Sequence, residues 1–127
     1  MREGMIATLK LKVQLYCGEA IAMGPGKAAL LQAILRTGSI SAAGRELGMS
    51  YRRAWLLVDT MNRCFQKPLV ETRPGGGKGA GARVTAEGEA ALAAYRRLSA
   101  QVESGACGEE HAALEAAIRS EPLASQC

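Results

Sequence analysis

Hydrophobic and polar positions along this chain change their period several times, and each change marks an element. From Thr8 to Tyr16, Leu9, Leu11, Val13 and Leu15 alternate with Lys10, Lys12, Gln14 and Tyr16. Alternation of this length predicts a β-strand buried on one face. A loop carrying Gly18, Gly24, Pro25 and Gly26 follows. The period then lengthens: Ala28, Leu31, Ile34 and Leu35 predict a helix over 27–37, stopped by Gly38. A shorter helix is expected over 41–47, with Ser39 or Ser41 as N-cap and Gly48 at its end. Ser50 opens the next one. Its apolar stripe, Ala54, Leu57, Val58, Met61 and Phe65, runs to Lys67, and Pro68 is the stop.

Two short strands, Leu69–Thr72 and Ala82–Thr85, flank a glycine-rich stretch from Pro74 to Gly81, the pattern of a β-hairpin. Thr85 then caps an alanine-rich helix reaching Ser104, with Leu92, Tyr95, Leu98 and Val102 as its larger apolar groups. Gly105 and Gly108 interrupt it, and a last short helix is expected over 109–119. The predicted fold is mainly α with a small β-hairpin. Three helices with a short middle one, then a hairpin, is the order of a winged helix-turn-helix. The N-terminal strand and a C-terminal dimerisation helix complete it. Residues 1–104 form the expected DNA-binding domain, and 105–127 an acidic, alanine-rich extension, partly helical or disordered.

Composition narrows the picture. With 127 residues there is room for one small domain. Only 4% of residues are aromatic, so alanine and the aliphatic residues must build the core. A core so poor in large side chains favours pairing with a second copy. The net charge of +4 hides an asymmetry. Lys27–Lys67 holds seven basic residues against Glu46 and Asp59, whereas Gly105–Cys127 holds four acids against Arg119. A cationic middle suggests a polyanion as partner.

The candidate chemistry lies in that cationic block. Ala43 suits the place where the two helices of the motif cross, and Gly48 suits the turn. Ser50, Tyr51, Arg52 and Arg53 occupy the first turn of the following helix, the part that enters the major groove in such domains. Arginine presents paired donors matching guanine O6 and N7. The competing reading of the arginines is a solvated helix start. Trp55 is expected to pack at the core edge rather than on bases. Lys27, Arg45, Arg73, Lys78 and Arg83 are the expected phosphate and wing contacts. Leu92, Tyr95 and Val102 are the expected dimer surface.

Other chemistries find no support in the sequence. Neither Gly26-Lys27 nor Gly77-Lys78 completes a Walker loop, because Ala28 and Gly79 stand where Ser or Thr is needed. The one histidine, His111, has no nucleophile motif near it, so no catalytic residue and no enzyme are expected. Cys17, Cys64, Cys107 and Cys127 form no CxxC pair, so no metal site or cofactor is expected. No membrane span or secretory signal is read, which makes the cytoplasm the expected compartment. Two alternatives stay open. One is a winged-helix protein-interaction module; the other is a metal or oxyanion sensor using Cys107, His111 and Cys127.

Gly38-Ser39-Ile40-Ser41, Ser50-Tyr51-Arg52-Arg53-Ala54-Trp55, Met61-Asn62 and the run from Glu71 to Gly88 resemble the N-terminal domain of ModE-type molybdate-responsive transcriptional regulators. Val84-Thr85-Ala86-Glu87-Gly88 is also similar to LysR-type regulators. The resemblance spans Lys27 to Leu98. It implies a homodimer that binds double-stranded DNA at an inverted-repeat operator, with the recognition helix at Ser50–Arg63 and the wing at Arg73–Arg83. Ala80 stands where the resemblance leads one to expect glycine. In that family a separate C-terminal module binds molybdate. Only 23 residues follow Ser104, and they are not strand-like. The DNA-binding domain alone is therefore expected, without molybdate or another oxyanion bound in the family's manner.

Overall fold

A computed structural model of the chain describes residues 9–73 and 81–125. The elements follow in the order β1 (Leu15–Cys17), β2 (Ala20–Met23), α1 (Pro25–Thr37), α2 (Ile40–Glu46), α3 (Tyr51–Cys64), β3 (Val70–Arg73), β4 (Gly81–Val84), α4 (Ala86–Ala106) and α5 (Glu109–Ala117). Local signals explain most boundaries. Ser39, Ser50 and Thr85 cap α2, α3 and α4, their hydroxyls accepting from the N–H groups of Ala42, Arg53 and Gly88. Gly38 closes α1, donating its N–H to the Ile34 carbonyl.

The core sits among α1, α2, α3, α4 and the two hairpins. Met23, Leu30, Leu31, Ile34, Met61, Leu69 and Val70 are fully buried there. Gly88 marks the closest approach. A Cβ at that position would lie 2.3 Å from the Leu69 carbonyl oxygen and 2.6 Å from Val84 Cγ1. The first turn of α4 can therefore meet the β3–β4 hairpin only as glycine.

The two sheets are antiparallel hairpins, β1 with β2 and β3 with β4. The second pairs Val70 with Val84, Glu71 with Arg83, Thr72 with Ala82 and Arg73 with Gly81. Residues 74–80, including Lys78, lie outside the described residues. Among the described residues no helix is long and apolar enough to cross a membrane.

The N-terminal strand corrects the expectation. Only Leu15–Cys17 is strand, and its partner is Ala20–Met23, the segment expected to be loop. The chain turns back at Gly18-Glu19, so β1 pairs locally instead of joining a larger sheet. Residues 9–14 run outside any strand. Among the described residues, Val13 is the member of this alternating set that packs against the core cluster, while Leu9, Leu11 and Leu15 stay exposed.

The C-terminal helices differ from expectation less. α4 extends two residues past Ser104, and α5 ends at Ala117. Leu92 and Tyr95, expected on a dimer surface, are buried against this chain's own core, and Tyr95 Oη donates a 2.8 Å hydrogen bond to the Val13 carbonyl. A small core poor in aromatics needs both groups itself. Val102 remains exposed.

Candidate nucleic-acid interface

The helix-turn-helix is assembled by small residues. Gly44 of α2 meets α3 directly: a Cβ there would stand 3.1 Å from Ala54 Cβ and 3.4 Å from the Met49 carbonyl oxygen. Ala43, the residue assigned to the crossing from sequence, is fully buried one position earlier. The turn itself runs through Gly48 at φ +72°, a backbone conformation that costs an L side chain about 1–2 kcal/mol. The Met49 N–H donates to the Gly44 carbonyl at 2.9 Å, tying the turn to the crossing.

This geometry decides which side of α3 is free. Ala54, Val58 and Met61 face the core. Arg52, Leu56, Asp59 and Arg63 follow at i, i+4, i+7 and i+11, and so share one outward face. Asp59 and Arg63 pair on it at 3.1 Å. At the amino end of α3, Tyr51, Arg52 and Arg53 are exposed beside the Ser50 cap. Trp55 is 42% exposed and stands outside the core cluster, contrary to the expected core-edge role. With Tyr51 and Leu56 it adds apolar surface to the arginine-bearing helix, suited to thymine methyl groups.

The β3–β4 hairpin is fastened at both ends. Asn62 of α3 accepts from the N–H groups of Leu69 and Val70 through Oδ1, at 2.8 and 3.2 Å. Its Nδ2 donates to the Val70 carbonyl at 2.9 Å. Thr85 Oγ1 donates to the Pro68 carbonyl at 2.8 Å. At the other end the Ala82 N–H donates to the Gly38 carbonyl at 3.0 Å. Gly81, at φ +151°, has room for no Cβ, since one would meet that carbonyl oxygen at 2.9 Å. These bonds tie the hairpin to α3 at one end and to the end of α1 at the other. Asn62 had no role in the sequence reading beyond the resemblance, because its partners lie seven and eight residues away.

The other expected contacts divide. Arg73 is exposed at the end of β3. Arg83 is exposed but paired with its cross-strand neighbour Glu71 at 2.6 Å. Arg45, also exposed, donates to Ser41 Oγ at 3.0 Å. Arg36, not singled out from sequence, pairs with Glu46 and links α1 to α2. Lys27 departs most from expectation. Only 9% of it is exposed, so it is no free surface cation, and burial pushes its ammonium group below its ordinary pKa. Cys107, the C-cap of α4, donates to the Glu103 carbonyl of that helix, and His111 is half-buried on α5. Among the described residues no group of three His, Cys, Asp or Glu side chains could hold a metal ion.

Residues 27–89 match the family model described as the bacterial regulatory helix-turn-helix protein, lysR family. The chain carries a LysR-type helix-turn-helix domain. It is also similar to the molybdenum-pterin-binding protein MopB of Rhodobacter capsulatus, 51% identical over 63% of this chain and 30% of that one. The molybdenum transport protein ModE of Azotobacter vinelandii is 41% identical over 59% of this chain and 28% of its own. The DNA-binding transcriptional dual regulator ModE of Escherichia coli is 34% identical over 78% of this chain and 36% of its own. The chain thus spans about a third of the length of these relatives. The match to the LysR-type model covers α1 through the first turn of α4, the whole of the helix-turn-helix and its hairpin.

Proposed function

We propose that this chain is a sequence-specific transcriptional regulator that binds double-stranded DNA by laying α3 in the major groove. The observation that carries the reading is the exposed first turn of α3, with Tyr51, Arg52 and Arg53 held out by the Gly44–Ala54 crossing behind it. Arg52 is the base reader, and Tyr51, Trp55 and Leu56 supply apolar contacts. Arg45, Arg73 and Arg83 meet backbone phosphates on either side, joined by Lys78, which lies outside the described residues. Such a protein works in the cytoplasm, where the bacterial chromosome lies.

Binding as a homodimer is part of the proposal. Leu9, Leu11 and Leu15 are exposed along the N-terminal segment, which Tyr95 pins to α4, and Val102 is exposed further along that helix. A second copy offers the same apolar surface in return, and two-fold symmetry then matches an inverted-repeat operator with half-sites about 34–36 Å apart. Light scattering after gel filtration tests the pairing. The expected result is a dimer that Leu11→Lys with Val102→Lys converts to a folded monomer; a wild-type monomer at the concentrations that bind DNA is the contrary result.

A further inference from the structure

The amino end of α1 opens into a cleft of about 240 Å³ that the contacts proposed above leave unused. Lys12 from the N-terminal segment, Lys27 from α1 and Arg53 from α3 converge on it, and Gln14, Gly24 and Gly26 share the wall with the apolar Ile21, Pro25 and Leu57; among the described residues none that lines it is acidic. Three cations from three separate parts of the chain raise the local potential without an acidic group between them. Lys27 is the informative member. It is nine-tenths buried, and among the described residues no acid pairs with it and no hydrogen-bond acceptor is placed for its ammonium group. The Arg53 guanidinium lines the same cleft, and the nearby Cys64 thiol, its pKa raised by burial, is neutral and offers no counter-charge. The stem of Lys27 is covered while its ammonium group keeps access to the cleft; an unpaired ammonium beside a second cation is unfavourable, and an entering anion relieves the repulsion.

The backbone supplies the rest of the donor set. Gly24 at the N-cap has no side chain to cap the helix, and Pro25 has no N–H to give. The N–H groups of Gly26 and Lys27 therefore point out of the amino end of α1 with no side-chain cap, where the helix dipole also favours negative charge.

We propose that this cleft binds a tetrahedral oxyanion, held by Lys12, Lys27 and Arg53 together with the Gly26 and Lys27 amides. The same chemistry has two sources, a free phosphate ion or a backbone phosphate of bound DNA. Only the second rests on reading α3 as the groove-binding helix. In either case Arg53 serves phosphate recognition rather than base reading, and the occupied cleft ties the N-terminal segment, α1 and α3 together.

The test is an amide NMR titration of the whole chain with inorganic phosphate at constant ionic strength, with chloride as control. Saturable shifts at Gly26 and Lys27, weakened about tenfold or more in Lys27→Gln and in Arg53→Gln but not in Lys10→Gln, identify a free-ion site. A second arm uses duplexes carrying one neutral methylphosphonate at successive positions. A position whose neutralisation weakens the wild type but not Lys27→Gln identifies a DNA phosphate in the cleft. Saturable phosphate binding with no DNA binding at all keeps the cleft and refutes the groove reading. Absence of saturable shifts, with Lys27→Gln and Arg53→Gln folded and as sensitive as wild type to every methylphosphonate, overturns the proposal.

Discussion

Replacing Asn62 by alanine removes the clamp between α3 and the β3–β4 hairpin. The side chain makes three hydrogen bonds to the backbone of Leu69 and Val70, at 2.8, 3.2 and 2.9 Å, and both of those residues are buried. A typical hydrogen bond contributes about 0.5–1.5 kcal/mol net, and an unmet buried donor costs about 1–3 kcal/mol. Asn62 itself is half-buried, so water can recover part of the loss. The expected cost is therefore about 2–4 kcal/mol. At this chain length each kcal/mol lowers Tm by about 3–5 °C, giving a fall of roughly 6–20 °C in a calorimetric melt. Hydrogen exchange should quicken first at Leu69 and Val70, whose N–H groups lose their acceptor. DNA affinity should fall with stability still sufficient to keep the protein folded, because helix and hairpin no longer hold one relative orientation. A Tm within 2 °C of wild type on the same scale of about 3–5 °C per kcal/mol, with Leu69 and Val70 still protected, refutes the clamp.

Gly88→Ala should destabilise by about 2–3 kcal/mol in denaturant unfolding, because its Cβ meets backbone at 2.3 Å. Gly105→Ala, a helical position with open space around it, should instead stabilise by about 0.5–1 kcal/mol; equal effects at the two glycines contradict the packing argument. Lys27→Met should raise Tm at neutral pH, since burial lowers the folded-state pKa from 10.5 and the unfolded chain binds more protons between the two values. Wild-type stability therefore rises with pH through that alkaline window and is lost as pH falls through the lowered value; the Lys27→Met variant should lack this increment, and a lower Tm for it at neutral pH tells against the burial penalty. Arg52→Ala should narrow the gap between cognate and scrambled duplexes by about 1–3 kcal/mol in fluorescence anisotropy, with a uniform loss on all sequences marking a phosphate contact instead.

What the sequence made legible was local. Serine and threonine caps, the glycine that ends α1 and the left-handed turn at Gly48 depend on groups within four residues, so a linear reading finds them. The order of helices and hairpin followed from the spacing of these stops. Contacts closed by the fold stayed hidden. Lys27 lies where the N-terminal segment, β2 and α3 meet the amino end of α1, and the Asn62 clamp joins residues seven and eight positions apart. Trp55 was misplaced because a residue beside Ala54 on a helix wheel can face either way until α2 is positioned. Leu92 and Tyr95 were assigned to a partner because the core's need for them was underestimated. The alternating leucines of residues 9–15 were read as a strand buried on one face, whereas only Leu15–Cys17 is strand and Leu9, Leu11 and Leu15 are exposed; in the proposed dimer a second copy covers them.

The central claim is that α3 reads sequence while surrounding cations hold phosphate. Its most direct test is an anisotropy titration, across a range of salt concentrations, of the duplex selected from a random library against a scrambled duplex of equal length. The account predicts tighter binding to the selected duplex at every salt concentration. For both duplexes, log affinity should fall linearly with log salt as counterions are released. Equal affinity for the two duplexes, or an affinity indifferent to salt, contradicts it.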